Sequence, residues 1–271
     1  MSYLIDSHCH LHDPEFFAPE LAEKMLKNAE KAGIRQVICI GTSEKDSKKA
    51  QSFAESHKNV FWTYGIHPEN AVSRPAPWDA ARTKSDGLAR KNDDTLYNSK
   101  LVAIGEVGLD YHYDGFDKPA QIKLLEEMLS LATQLNLPVS LHVRDAFPDI
   151  FGILNNFPKL TGVFHSFSDS EENLKKVLER GFYIGVNGLA TFANLDCYKN
   201  LERIVPLERI LLETDAPFLT PVPKRGIINE PAYIKHIAEW LSSKLGVSLE
   251  TITEKTTENV RTLFSLPNPE L

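Results

Sequence analysis

The sequence predicts an α/β fold: one (β/α)8 TIM barrel spanning residues 1–271 as a single domain, followed by C-terminal helices. Three observations carry this. Short β-rich runs alternate with longer amphipathic stretches from end to end, the pattern of repeated βα units around a parallel sheet. Several of the runs are apolar without alternation, as strands covered on both faces should be. Eight such runs in a chain of 271 residues match the size of a (β/α)8 barrel. The alternative, an open doubly wound sheet, lacks a GxGxxG after an early strand, and its place is taken by a histidine-rich loop.

Taken in order, the strands are expected at 3–6 (YLID), 36–40 (QVICI), 60–65 (VFWTYG), 101–105 (LVAIG), 138–142 (PVSLH), 162–165 (GVFH), 182–186 (FYIGV) and 209–213 (RILLE). Between the first two, residues 19–32 read as a helix, with Leu21, Met25, Leu26 and Ala29 at helical spacing and Gly33 as the stop. Residues 119–136 read likewise, with Pro119 in the first turn, as do 171–180, ended by Gly181. Two more helices are expected at 231–245 and 249–264. Residues 73–100 are the least regular part, with room for one helix at 78–90 and a polar connector.

Composition narrows the function classes. A formal net charge of −7 argues against broad electrostatic capture of nucleic acid, although a metal cluster can supply positive charge locally. Cys9, Cys39 and Cys197 are odd in number and unrelated in spacing, which fits a reducing compartment without disulfides. No basic, apolar leader and no membrane-length apolar run is present, so the expected location is cytoplasmic, away from any membrane. The sequence leaves the oligomeric state open.

The polar residues sort to one place. His8 and His10 follow the first strand, Glu106 the fourth, His142 ends the fifth, His165 the sixth, and Glu213 and Asp215 the eighth. All are at carboxyl ends of strands, which converge on one mouth in a closed barrel. A strand period of two turns His8 and His10 to one side and Cys9 to the other, so the histidines can share an ion while Cys9 packs outward. His12 reads as loop polarity. Glu106, between Gly105 and Gly108, needs a neutralising partner: a metal, which its two oxygens can bridge to a second one, or a buried ion pair with Arg144. His142 and His165 on consecutive strands read as ligands of a second ion.

Asp215 is expected as both ligand and base, with Glu213 supporting it or contacting substrate. Arg144 is a candidate for gripping an anionic group, and His67, followed at once by Pro68, suits substrate binding better than ligation. Asp110 and Tyr111 read as loop-shaping or substrate-facing. No GxSxG and no GxxxxGK[ST] occurs, which leaves hydrolysis by a metal-activated water.

The ordered set IDSHCHLHD, YGIHPEN, AIGEVGLDYH, LHVRDA, FHSFSDS, LLETDAPFLTP, RGIINEPAYIKHIAEWLS and TTENVRTLFSL resembles the TatD-like deoxyribonuclease family of metal-dependent hydrolases over nearly the whole chain. The resemblance implies a TIM barrel with two divalent ions, Mg, Mn or Zn. One would be held by His8, His10, Glu106 and Asp215, the other by Glu106, His142 and His165. It implies phosphodiester hydrolysis of DNA, including 3′-to-5′ exonuclease action; the acidic charge and lack of basic clusters predict that the DNA is bound with low affinity. Imidazole-rich ligands favour Zn, Mn, Co or Ni, whereas the family's nuclease activity is associated with Mg.

Ser166 and Asp169 stand where Cys and Gly are expected, and Ala216 and Phe218 where Ser and Tyr are common. Asp169 would add negative charge near the phosphate. Two alternatives remain beside the nuclease: a hydrolase of a small amide, lactone or phosphoester with the same site, and a non-catalytic metal-binding scaffold.

Overall fold

The structure, a computed structural model, describes residues 2–73 and 100–270; the expected helix at 78–90 lies outside them. Eight parallel strands pair in sequence order. They are β1 (Leu4–Cys9), β2 (Ile34–Ile40), β3 (Val60–Tyr64), β4 (Leu101–Asp110), β5 (Val139–Arg144), β6 (Gly162–Phe164), β7 (Tyr183–Val186) and β8 (Ile210–Leu212). The sheet closes where β8 returns to β1: a bridge joins Cys9 to Ala216, and the Asp215 N–H donates to the His8 carbonyl at 2.9 Å. This is a TIM barrel.

The described α-helices are α1 (Pro19–Lys31), α2 (Glu44–Ser56), α3 (Lys118–Leu135), α4 (Phe147–Leu154), α5 (Glu171–Glu179), α6 (Leu201–Ile204), α7 (Ile234–Leu245) and α8 (Leu249–Phe264). Their starts follow from local chemistry. Ser43, Asp117, Ser170 and Ser248 each accept a backbone N–H from the first turn of the helix that follows. Gly246, at φ +67°, ends α7 in a conformation that costs other residues a Cβ clash. No described helix is long and apolar enough to cross a membrane.

Two apolar layers hold the barrel. Ile5, Ile38, Ile40, Phe61, Val163 and Leu211 fill the interior, and Val260, Leu263 and Phe264 of α8 join them. α8 is fastened there by polar contacts: Thr257 donates to the Tyr3 carbonyl at 2.6 Å, and Asn259 donates to the carbonyls of Leu207 and Ile210 at 2.8 Å each. These acceptors stand at or before the starts of β1 and β8, so α8 plugs the amino-terminal end. The mouth at the other end stays free for chemistry.

The second layer lies between strands and helices and takes Cys9, Cys39 and Trp62 together with Ala22 and Met25 of α1. Cys9 therefore packs outward, as strand alternation predicts.

Some strands run further than the sequence suggests. β4 extends through Glu106 to Asp110 instead of stopping at Gly105, after a register shift between Ile104 and Val107. Gly108 makes this possible: at φ +157° it sits opposite His142, where a Cβ would come within 1.7 Å of the His142 carbonyl oxygen. Glu106, His8 and His142 accordingly lie inside strands, on the rigid wall of the barrel.

Candidate metal centre

Glu106 and Asp215 are the two carboxylates around which the imidazoles gather. Glu106 Oε1 is 3.0 Å from His142 Nδ1, 3.8 Å from His165 Nε2 and 3.9 Å from His67 Nε2, while its Oε2 is 3.5 Å from His8 Nε2. Asp215 Oδ1 is 3.5 Å from His10 Nε2 and 3.7 Å from His8 Nε2. His8 and His165 stack with centroids 3.5 Å apart. Glu106 is 4% and Asp215 8% exposed, so these groups face one another rather than water.

The far sides of the rings are held. His10 Nδ1 donates to the Ile40 carbonyl at 3.1 Å, which fixes its tautomer because a carbonyl can only accept. His142 Nε2 meets Asp110 Oδ2 at 2.9 Å, and His165 Nδ1 meets Glu213 Oε1 at 2.9 Å. Glu213 is itself fixed by the Ser166 N–H at 2.7 Å and by Asn187 Nδ2 at 3.4 Å. An imidazole with one nitrogen turned to a shared centre and the other anchored to a carboxylate or carbonyl is how metal-binding histidines are oriented.

Electrostatics describe the same cluster without an ion. Burial works against charge on His165, but Glu213 and Glu106 outweigh it and lift it to about 10; burial likewise opposes His142, which Asp110 and Glu106 raise to about 9. Burial would raise Glu106, yet the His165 charge, the hydrogen bond from His142 and the nearby His8 imidazole hold it well below the carboxylate range. Protons on imidazoles thus offset the buried carboxylates. His8 stays below its ordinary value through burial and the like charge of His165, and neither of its nitrogens has a hydrogen-bond partner among the described residues. Two orphaned nitrogens in a fully enclosed ring fit a metal ligand and would be costly otherwise.

Among the described residues, three groups of donor atoms lie within metal-binding reach of one another: His8, His10 and Glu106; His67, Glu106 and His142; and His8, His165 and Glu213. Asp215 reaches the first through His8 and His10. The donor set of imidazole nitrogens and carboxylates suits divalent cations. His67, expected only to touch substrate, belongs geometrically to the second group, because its ring packs edge-on against His142 at 4.5 Å.

A polar cavity of about 350 Å³ opens above the cluster. Arg144 stands at its rim with its guanidinium over the Tyr113 ring at 5.2 Å, so it is not the partner of Glu106; the histidines are. Asp169 is not among the cavity's lining residues. Its carboxylate accepts from the Ser170 N–H and Asn173 at 2.6 Å each, at the start of α5, so its charge lies outside the cavity lining.

His12 is not loop polarity either. Its side chain is fully buried, with Nε2 3.2 Å from Asp46, which in turn accepts from the Thr42 N–H at 3.0 Å.

The model of the TatD-related DNases matches residues 5–265. The chain belongs to the TatD-related DNase family. Within it, the chain is 32% identical over 265 residues to the uncharacterized metal-dependent hydrolase YabD of Bacillus subtilis, covering 97% of this chain and 99% of YabD. It is 34% identical over 252 residues to the 3′-5′ ssDNA/RNA exonuclease TatD of Pantoea ananatis, covering 90% and 93%. The crystal structure of the TatD homolog YJJV from Escherichia coli superposes with a TM-score of 0.86 at 28% identity, over 97% of this chain and 98% of that one. This TatD-family protein is a metal-dependent hydrolase with buried His, Glu and Asp clusters able to bind metal.

Several residues of this TatD-family site escape sequence reading. Asp110 orients His142, and Asn187 holds both Ser166 Oγ, at 2.8 Å, and Glu213. Asp6, fully buried, accepts from the Thr214 N–H at 2.9 Å and hydroxyl at 2.5 Å; burial, despite those bonds, lifts it to about 8. The one available signal was Asp110, which lies two and four positions from Gly108 and Glu106 on the same strand face. Asp6 and Asn187 join partners far away in sequence and leave no local mark.

Proposed function

We propose that this protein hydrolyses phosphodiester bonds of single-stranded DNA, acting from the 3′ end, with two divalent ions in the barrel mouth. The observation that carries the reading is the convergence of His8, His10, His142 and His165 on Glu106 and Asp215, with an arginine at the rim of the same cavity. His8, His10, Glu106 and Asp215 would hold one ion, and Glu106, His142 and His165 the other, with His67 beside it. Bound ions would lower the pKa of a water and stabilise negative charge on the leaving oxygen.

The chain's own groups do the rest. Asp215, held ionised against burial by His10, His165 and His8, accepts the proton of the attacking water. Its backbone, at φ +58°, turns the chain at the end of β8 and aims the carboxylate inward. Arg144 takes the non-bridging phosphate oxygens as a rigid fork, and His67, kept neutral by burial at about 4, donates a hydrogen bond to the same group. Glu213 keeps His165 in the tautomer whose Nε2 faces Glu106.

The test is cleavage of 3′-labelled single-stranded DNA in Mg, Mn or Zn, with Asp215→Asn beside the wild type. Loss of the base should lower kcat by about 10²- to 10⁴-fold. Absence of cleavage above the variant with every ion would overturn the reading. A small phosphoester or lactone, which a 350 Å³ cavity also accommodates, then becomes the substrate class to assay.

A further inference from the structure

Among the described residues, large apolar side chains are exposed in a few places, and two of them meet at the mouth. Phe16, 43% exposed, and Phe218, 46% exposed, line the cavity with ring centroids 5.2 Å apart and planes at 79°. Phe218 is tied to the metal centre twice: its N–H donates to the Asp215 carbonyl at 2.7 Å, and its ring stands edge-on to His10 at 6.1 Å. Phe16 is placed by its own turn, its N–H donating to the Asp13 carbonyl at 3.1 Å. The pair is therefore fixed in position, and it shows aromatic surface beside the reacting centre.

The remainder of the cavity is strongly acidic. Six carboxylates line it against Arg144 and the protonated rings of His142 and His165, so negative charge prevails. A polyanion cannot be drawn into such a mouth by charge alone, because phosphate capture needs a cation surplus. Stacking is indifferent to this. Every base has a π-face, and an exposed aromatic that receives one contributes binding without neutralising phosphates. A duplex keeps its bases stacked inside; only an unpaired end can offer one to a cavity of about 350 Å³.

We propose that Phe16 and Phe218 form the base-stacking platform for the nucleotide next to the scissile bond, with Arg144 opposite holding its phosphate. This rests on the nuclease reading above and deepens it. The site selects unpaired nucleotides through an aromatic wall, and the affinity it gains is nearly independent of salt.

The experiment separates the two readings. Wild type, Phe218→Ala, Phe218→Leu, Phe218→Trp and Phe16→Ala are titrated in chelator against a fluorescent single-stranded oligonucleotide and the same strand with abasic terminal positions. Both phenylalanines are half exposed, so folding should survive, and thermal melting checks it. Alanine at 218 should weaken binding of the base-bearing strand about five- to hundredfold, leucine nearly as much, and tryptophan should preserve it. The abasic strand should bind wild type as weakly as the alanine variant and be insensitive to the substitutions. The slope of log K against log salt should be about −0.7, the value for one phosphate contact on a single strand. Equal binding of both strands by wild type, or equal losses on both strands in the variants, would overturn the platform. Stacking-dependent binding without cleavage in any metal would leave the platform standing and sink the nuclease reading instead.

Discussion

Glu213 sits 2.9 Å from Nδ1 of His165, on the side of the ring that faces away from Glu106. The carboxylate is buried, is fixed by the Ser166 N–H, and leaves the other imidazole nitrogen turned toward the cluster. Removing its charge while keeping its shape is a clean perturbation. Glu213→Gln should weaken divalent-ion binding about 10- to 100-fold by freeing the tautomer of His165. Calorimetric titration with Mn or Zn measures this directly, and an unchanged affinity would show that Glu213 does not orient the ring.

Gly185 guards the same carboxylate from the neighbouring strand. A Cβ at this position would lie 2.2 Å from Glu213 Oε2 and 2.5 Å from its carboxyl carbon. Gly185→Ala should therefore push Glu213 off His165. A loss of about 1–3 kcal/mol of stability, as for other overpacked sites, is expected in chemical denaturation together with a metal affinity as poor as that of Glu213→Gln. A stable variant with intact metal binding would mean that the strand relaxes away from the clash.

Metal loading should release protons. His142 and His165 are raised to about 9 and about 10 by their carboxylates when no ion is present, whereas Glu106 and Asp215 are already ionised. An ion that takes both imidazole nitrogens must displace their protons, so apparent affinity rises with pH up to about 10 and falls as pH drops. Calorimetry at pH 7 in buffers of different ionisation enthalpy should report release of up to about two protons. Zero release would contradict imidazole ligation.

A pH signature of stability is expected from His12 and Asp46 in the metal-free protein. Burial opposes charge on both, but each overcomes it through the other: Asp46 falls to about 2 and His12 rises to about 9. The depressed carboxylate contributes stability above its unfolded value near 3.9, lost as pH falls toward 2. The raised imidazole contributes below its unfolded value near 6.5, lost as pH climbs to 9. The pair is thus fully effective between about pH 4 and 6.5. Melting temperatures in chelator should decline on both sides of that window, and His12→Asn should make both limbs shallower, leaving the losses that His142, His165, Glu106 and Asp215 contribute. An alkaline limb unchanged in the variant would remove His12 as its cause.

The strand order was legible because each strand is an apolar run with a chemically marked end, and a closed barrel forces those ends together whatever the loops do. His8, His10, His142 and His165 could be picked out on this ground, since a histidine at the end of an apolar strand is visible in one dimension. Their supports were not. Asp110 on β4 reaches His142 on the neighbouring β5, and Asp6 reaches Thr214 across the seam of the barrel. Asn187, just past the end of β7, reaches Ser166 and Glu213. Such pairs obey no spacing rule, because sequence separation across a barrel carries no information about distance. β4 was cut short for a related reason: Gly105 and Gly108 resemble a turn, and only the close approach of His142 shows that Gly108 keeps the strand paired.

The seam between β1 and β8 also orders events in time. His8 and His10 are made early and Asp215 late, and α8, whose Thr257 and Asn259 clasp the starts of both strands, is made later still. A ribosome-bound chain lacking α8 can form the seam's own bonds, Ser7 to Leu212 and Thr214 to Asp6, but not the clasp at its amino-terminal end. The floor of the barrel is thereby closed only once the C-terminal helix has emerged and clasped the first strand to the last.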